Sequence, residues 1–179
     1  MKAYDVKSAF LQSDSLQREV YVEPPPEKYK KDIIWKLKKP VYGLPDASRL
    51  WYMTIKSFLS GLGMSQSRGD SCLFMYRKGA VLEGMILVHI DDFLAAGSKH
   101  YEKEVVQKML EKFKFGTISS EKFMYTGIEI NQDEKKRISM NQDQFIKDLS
   151  EYQFLKQDSH KILNKTENSQ ISGYIDMLG

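Results

Sequence analysis

Two apolar runs, Val81 to Val88 and Phe93 to Ala96, are separated only by His89-Ile90-Asp91-Asp92. Runs this short and this rich in branched side chains read as strands, and so brief a connection makes them a hairpin. Leu73 to Arg77 extends the pattern, pairing with Val81 to His89 around Lys78-Gly79. Carboxylates therefore interrupt the most apolar stretch of the chain. Two adjacent acids on a buried scaffold repel each other and resist ionising together, a conflict that a divalent cation removes. Mg²⁺ takes carboxylate oxygens together with substrate phosphates, and a third acid would complete a site for two ions about 4 Å apart. Asp5 is the candidate, because it lies near the end of a strand-like run, Lys2 to Val6, and just before the turn or short helix expected from Ser8 to Leu16. The competing reading of Asp91-Asp92 alone is a solvated hairpin tip.

The rest of the chain alternates strand and helix signals. Glu19 to Val22 reads as a strand stopped by Pro24-Pro25-Pro26, which lack the donors a ladder needs. Ile33 to Leu37 is a second short strand. Leu50, Trp51, Ile55, Phe58, Leu59 and Leu62 recur at helical spacing and predict a helix from about Asp46 to Ser60, ended by Gly61 and Gly63. Lys99 to Phe115 is a second amphipathic helix, with Val105, Val106, Met109, Leu110 and Phe113 on one face. Phe123 to Ile130 reads as one strand paired with Arg137 to Met140. Asn141 is the expected N-cap of a helix reaching Glu151, and Gln157 to Gln170 turns polar like a linker.

At 179 residues the chain fits one domain with a core that needs no staples, and its single cysteine, Cys72, excludes an internal disulfide framework. No apolar run is long enough to span a bilayer, so a soluble chain is expected. The net charge of +3 announces no nucleic-acid partner. Its distribution does more: Lys28, Lys30, Lys31, Lys36, Lys38, Lys39, Arg49 and Lys56 are interleaved with Tyr29, Trp35, Tyr42, Trp51 and Tyr52. That mixture can follow phosphates and stack on bases, or it can be a solvated Lys-rich loop over buried aromatics.

Several motifs carry a resemblance in order and spacing. Tyr4 to Leu11, Val20 to Pro25, Lys36 to Leu44, Asp46 to Tyr52, Val88 to Ser98 and Phe123 to Ile130 together resemble copia-type retrotransposon reverse transcriptases, over about residues 2 to 155. The resemblance implies an α+β palm, an antiparallel sheet backed by helices, with Asp5, Asp91 and Asp92 as its catalytic triad. Asp5, Asp91, Asp92 and the carbonyl of Val6 would hold two Mg²⁺ ions, or Mn²⁺ in their place. Val6, Ala9, Phe10, Asp46 and Arg49 would line the nucleotide site, with Phe10 beside the sugar, where it excludes a 2′-hydroxyl. Tyr125, Thr126 and Gly127 would belong to the primer grip. Phe10 also reads as an ordinary buried aromatic, and Phe123 to Ile130 as an ordinary core strand.

Two positions depart from the family pattern. Asp46 stands where many relatives have Gln, and an acid near a triphosphate repels it unless Arg49 or a lysine pairs with it. His89 replaces the usual Tyr before the acid pair. The implied layout is a palm over residues 1–135 and the start of a thumb or connection over 136–179, with the fingers truncated. Expected partners are an RNA or DNA template-primer, deoxynucleoside triphosphates and the rest of a Pol polyprotein, including fingers, RNase H and integrase, but no membrane. An intracellular place follows, the cytoplasm or a virus-like particle. The implied function is RNA-directed DNA polymerisation, with activity of this chain alone in question; the alternative is a noncatalytic or domesticated nucleic-acid-binding remnant.

Overall fold

The first strand, β1 (Lys2–Val6), buries Tyr4 and Val6 and leaves Asp5 exposed, because successive side chains of a strand point to opposite faces. This computed structural model describes residues 1–28 and 33–148. The chain divides into two units, Met1–Asp143 and Gln144–Gly179.

The first unit is α+β, with antiparallel sheets. After β1 come a 3₁₀ turn (Ala9–Gln12) and a two-stranded ribbon of β2 (Tyr21–Val22) and β3 (Trp35–Lys36). Helix α1 (Ala47–Gly61) leads into β4 (Met64–Gln66), β5 (Leu73–Lys78), β6 (Val81–His89) and β7 (Asp92–Gly97). A helical stretch over 99–112 follows, made of α2 (Lys99–Tyr101), a π-helical turn (Glu102–Val106) and α3 (Gln107–Lys112). Strand β8 (Phe115–Ser120) closes a six-stranded antiparallel sheet of order β4-β5-β6-β7-β1-β8. The N-terminal strand thus lies inside the sheet, next to the strand that begins with Asp92.

Alternation assigns each face its cover. Tyr4, Val6, Ile86, Val88, Phe93 and Ala95 share the main core with Trp51, Ile55 and Leu59 of α1 and with Tyr101, Val105 and Met109 of the second helical stretch. On the other face Ala3, Leu87 and Leu94 pack against Phe123, Tyr125 and Ile130. These belong to a three-stranded sheet of β9 (Lys122–Tyr125), β10 (Ile128–Gln132) and β11 (Ile138–Asn141), ordered β11-β10-β9. Asp5, His89 and Asp92 stand two residues along from Ala3, Leu87 and Leu94, so strand periodicity puts them on this second face, away from the helices.

Several elements differ from the sequence expectation. The second helix stops at Lys112 rather than Phe115: Phe113 turns extended (φ −117°, ψ 150°), and Phe115 opens β8 against β1. Phe123 to Ile130 is not one strand but a hairpin, since Thr126 (φ 48°) and Gly127 (φ 83°) form a two-residue turn with Tyr125 opposite Ile128. Positive φ at both central residues is the type I′ pattern, whose twist matches that of paired strands. Asn141 ends β11, and its Oδ1 accepts from the Asp143 N–H at 3.2 Å, so α4 begins at Asp143 (Asp143–Asp148). Strands β4 and β8 carry too few alternating apolar residues to be read from sequence. The helix end at Glu151, the linker over Gln157 to Gln170, and Tyr29, Lys30 and Lys31 lie outside the described residues.

Candidate active site

Pairing between β1 and β7 sets Asp5 directly opposite Asp92. The Val6 N–H donates to the Asp91 carbonyl at 2.8 Å, which makes Asp5 and Asp92 the non-hydrogen-bonded type of cross-strand pair, the one whose side chains approach more closely. Asp91 sits in the β6–β7 turn, between His89 and Asp92, which face each other in register. All three acids named from the sequence are therefore brought to one end of the sheet.

The turn that carries Asp91 is held in an uncommon shape. Ile90 has φ +53°, a left-handed conformation in which a β-branched residue is strained. Trp51 of α1 counters this by donating its indole N–H to the Ile90 carbonyl at 2.6 Å. The same ring is 1% exposed and stacks at 6.4 Å on Phe93, tying the acid turn to the core. Sequence reasoning placed Trp51 on a helix face; the role of its N–H depends on a contact 39 residues away.

Electrostatics at the site are those of like charges under partial burial. Burial, then the charges of Asp91 and Asp5, push the Asp92 carboxyl above the ordinary carboxylate range, with His89 opposing. Neither Lys nor Arg figures among the groups that shift it. Tyr125 reaches the same place from β9: burial first, then Asp92 and Cys72, push its hydroxyl up to about 12, and among the described residues that hydroxyl finds no hydrogen-bond partner. Among the described residues no three His, Cys, Asp or Glu side chains already converge as a metal cage. The donor set is nevertheless of the kind Mg²⁺ takes, hard carboxylate oxygens on neighbouring strands, with Asp92 under the charges of Asp91 and Asp5. Gly116 of β8 leaves room beside Asp5, for a Cβ there would lie 2.3 Å from Asp5 Oδ2.

The expected nucleotide residues fall into two groups. Ala9 (0% exposed) and Phe10 (6%) are buried in the 3₁₀ turn after β1, which begins beyond a left-handed Ser8 (φ 49°). Tyr42 covers Phe10, with ring centroids 4.4 Å apart, and its hydroxyl donates to Asp91 Oδ2 at 3.4 Å. Asp46 precedes α1 and is paired, but with Arg18: Nε and Nη2 reach Oδ2 and Oδ1 at 3.1 and 2.8 Å. The Arg18 hydrogen bonds lower the Asp46 carboxyl below its usual range, and Arg49 adds only a charge effect. Thr126 and Gly127 occupy the exposed tip of the β9–β10 hairpin, while Tyr125 beside them is buried. Arg18 and Gly116 were not among the sequence candidates, and Tyr42 was named only as one of the aromatics interleaved with basic residues; the Tyr42-Gly43 turn and a glycine within a strand are the signals that mark such positions.

A family model for reverse transcriptase (RNA-dependent DNA polymerase) matches residues 1–162. The chain belongs to the reverse transcriptase family, and within it to the copia type. It is 37% identical over 101 residues, 55% of its length, to the retrovirus-related Pol polyprotein from transposon RE2 of Arabidopsis thaliana. It is 31% identical over 147 residues, 78% of its length, to the transposon Ty1-DR4 Gag-Pol polyprotein of Saccharomyces cerevisiae. These matches span 7% and 9% of the two polyproteins. The reverse transcriptase chain is thus similar to a small part of each.

Proposed function

We propose that this reverse transcriptase chain supplies the palm of a polymerase performing RNA-directed DNA synthesis as part of a Pol polyprotein. The observation that supports this most is the cross-strand pairing of Asp5 with Asp92 beside Asp91 in the adjoining turn. Asp5, Asp91, Asp92 and the Val6 carbonyl would hold two Mg²⁺ ions or Mn²⁺. When bound, such ions supply acidification of a primer 3′-hydroxyl and neutralisation of the leaving pyrophosphate.

The chain's own residues position and neutralise. The β1–β7 ladder fixes Asp5 and Asp92, and Trp51 fixes the turn that carries Asp91. Phe10 and Ala9 line the sugar side of the nucleotide site, where the Phe10 ring excludes a 2′-hydroxyl. Arg18 cancels the charge of Asp46, so that this acid does not repel a triphosphate while Arg49 attracts it. Tyr125, Thr126 and Gly127 place the hairpin tip toward the primer backbone. Residues 1–135 make up the palm in this reading, and 136–179 begin the thumb or connection. The partners are a template-primer, deoxynucleoside triphosphates and the remaining polyprotein domains. The compartment is intracellular, the cytoplasm or a virus-like particle; among the described residues no helix is long and apolar enough to cross a membrane.

Primer extension on an RNA template by the Pol polyprotein that carries this chain tests the reading, with incorporation expected and lost in Asp5→Asn. A Mn²⁺ thermal shift should accompany it and disappear in Asp91→Asn, since a ligand that binds only the folded state stabilises it. An equal shift in Asp91→Asn would overturn the metal assignment. A noncatalytic nucleic-acid-binding role would rest on a different feature, a cleft of about 350 Å³ lined by Lys38 together with Arg18 and Lys36, which are paired with Asp46 and Glu19. Salt-sensitive duplex binding without incorporation would select that role.

A further inference from the structure

Tyr42 has no part in the reading above, yet it touches two members of the site. Its ring lies 4.4 Å from that of Phe10, tilted by 45°, and its hydroxyl donates to Asp91 Oδ2 at 3.4 Å. Core packing does not account for this, because Tyr42 is 60% exposed. A turn presents it instead: the Leu44 N–H bonds to the Val41 carbonyl at 3.2 Å, and Gly43 takes φ +96°, as the third residue of a type II turn does. What the side chain does there is cover the buried Phe10 and engage one oxygen of a carboxylate set among like charges.

We propose that Tyr42 is a positioning residue that closes this site in the absence of nucleotide, its ring lying over Phe10 and its hydroxyl holding Asp91. The inference rests on the proposed function, in which Phe10 faces the sugar and Asp91 faces a metal ion. Entry of a nucleotide with its ion exchanges the Tyr42 hydrogen bond for coordination and uncovers Phe10. Tyr42 therefore competes with the ion, so that an ion alone binds less well than an ion carried in with a nucleotide.

Mn²⁺ binding to the full chain, followed by the electron paramagnetic resonance signal of free Mn²⁺, tests this without requiring polymerisation. Tyr42→Phe keeps the ring and removes the hydroxyl; Tyr42→Ala removes both; Asp91→Asn removes the acceptor. Tyr42→Phe should bind Mn²⁺ about threefold more tightly than the parent chain, the scale of one hydrogen bond. Adding a deoxynucleoside triphosphate should narrow that gap. Affinity in Tyr42→Phe equal to or weaker than in the parent, with binding still lost in Asp91→Asn, would overturn the role of Tyr42 and leave the metal site standing. No Mn²⁺ binding in the parent, in Tyr42→Phe or in Tyr42→Ala would overturn the site reading, and this inference with it. A merely structural Tyr42 would lose affinity on substitution, whereas competition gains it.

Discussion

A methyl group at Gly116 would meet Asp5 Oδ2 at 2.3 Å, closer than any real contact, and the short aspartate side chain can yield only by turning its carboxylate. Gly116 is exposed and lies in β8, where alanine suits the backbone at least as well as glycine. Gly116→Ala should therefore leave the melting temperature unchanged or slightly raised while weakening the Mn²⁺ thermal shift; an unaltered shift would show that Asp5 is not a ligand. Arg18 and Asp46 make a related point. From the sequence, the partner expected for this unusual acid is Arg49 or a lysine. The fold supplied Arg18, because a bidentate guanidinium from the loop before β2 reaches both carboxylate oxygens.

Among the elements, the contact between the second helical stretch and the sheet depends on a pair of glycines. Gly84 of β6 and Gly97 of β7 face each other in register, and the Tyr101 ring lies across both. Cβ atoms would come within 2.2 and 2.3 Å of that ring, which is 2% exposed and has nowhere to move. Gly84→Ala should cost about 2 kcal/mol by overpacking, or about 6 °C in melting temperature, measured by calorimetry. The two hairpins at the site also differ in kind. Thr126-Gly127 has a glycine that takes positive φ freely beside a β-branched Thr126 that is also left-handed (φ 48°), whereas Ile90 is held left-handed by its surroundings, Trp51 among them. Strain of that sort persists where the packing around it over-determines the backbone.

Viewed as a whole, the first unit has two apolar clusters of unequal size on opposite faces of one sheet. Among the described residues, nineteen buried ones form the helix-side cluster, and three form the cluster under β9 and β10. Opening free energies follow the local density of buried contacts, so the smaller cluster should release its strands first. Hydrogen exchange should show β9 to β11 amides exchanging well before those of β6 and β7; equal protection would mean that the two faces unfold as one unit. Much of this was legible beforehand. Apolar runs and their punctuation are local properties, so β5 to β7, α1 and the acid-bearing turn could be read from the order of residues alone. So could the family, whose motifs recur in fixed order. The chain order did not reveal β4, β8 or the split of β9 from β10, because short edge strands and two-residue turns leave faint periodicity. Nor could it reveal that Arg18 neutralises Asp46, that Trp51 restrains Ile90, or that Tyr42 covers Phe10 and engages Asp91. Each of these joins residues far apart in sequence, and only the packing of sheet, helix and loop decides which side chains come within hydrogen-bonding distance.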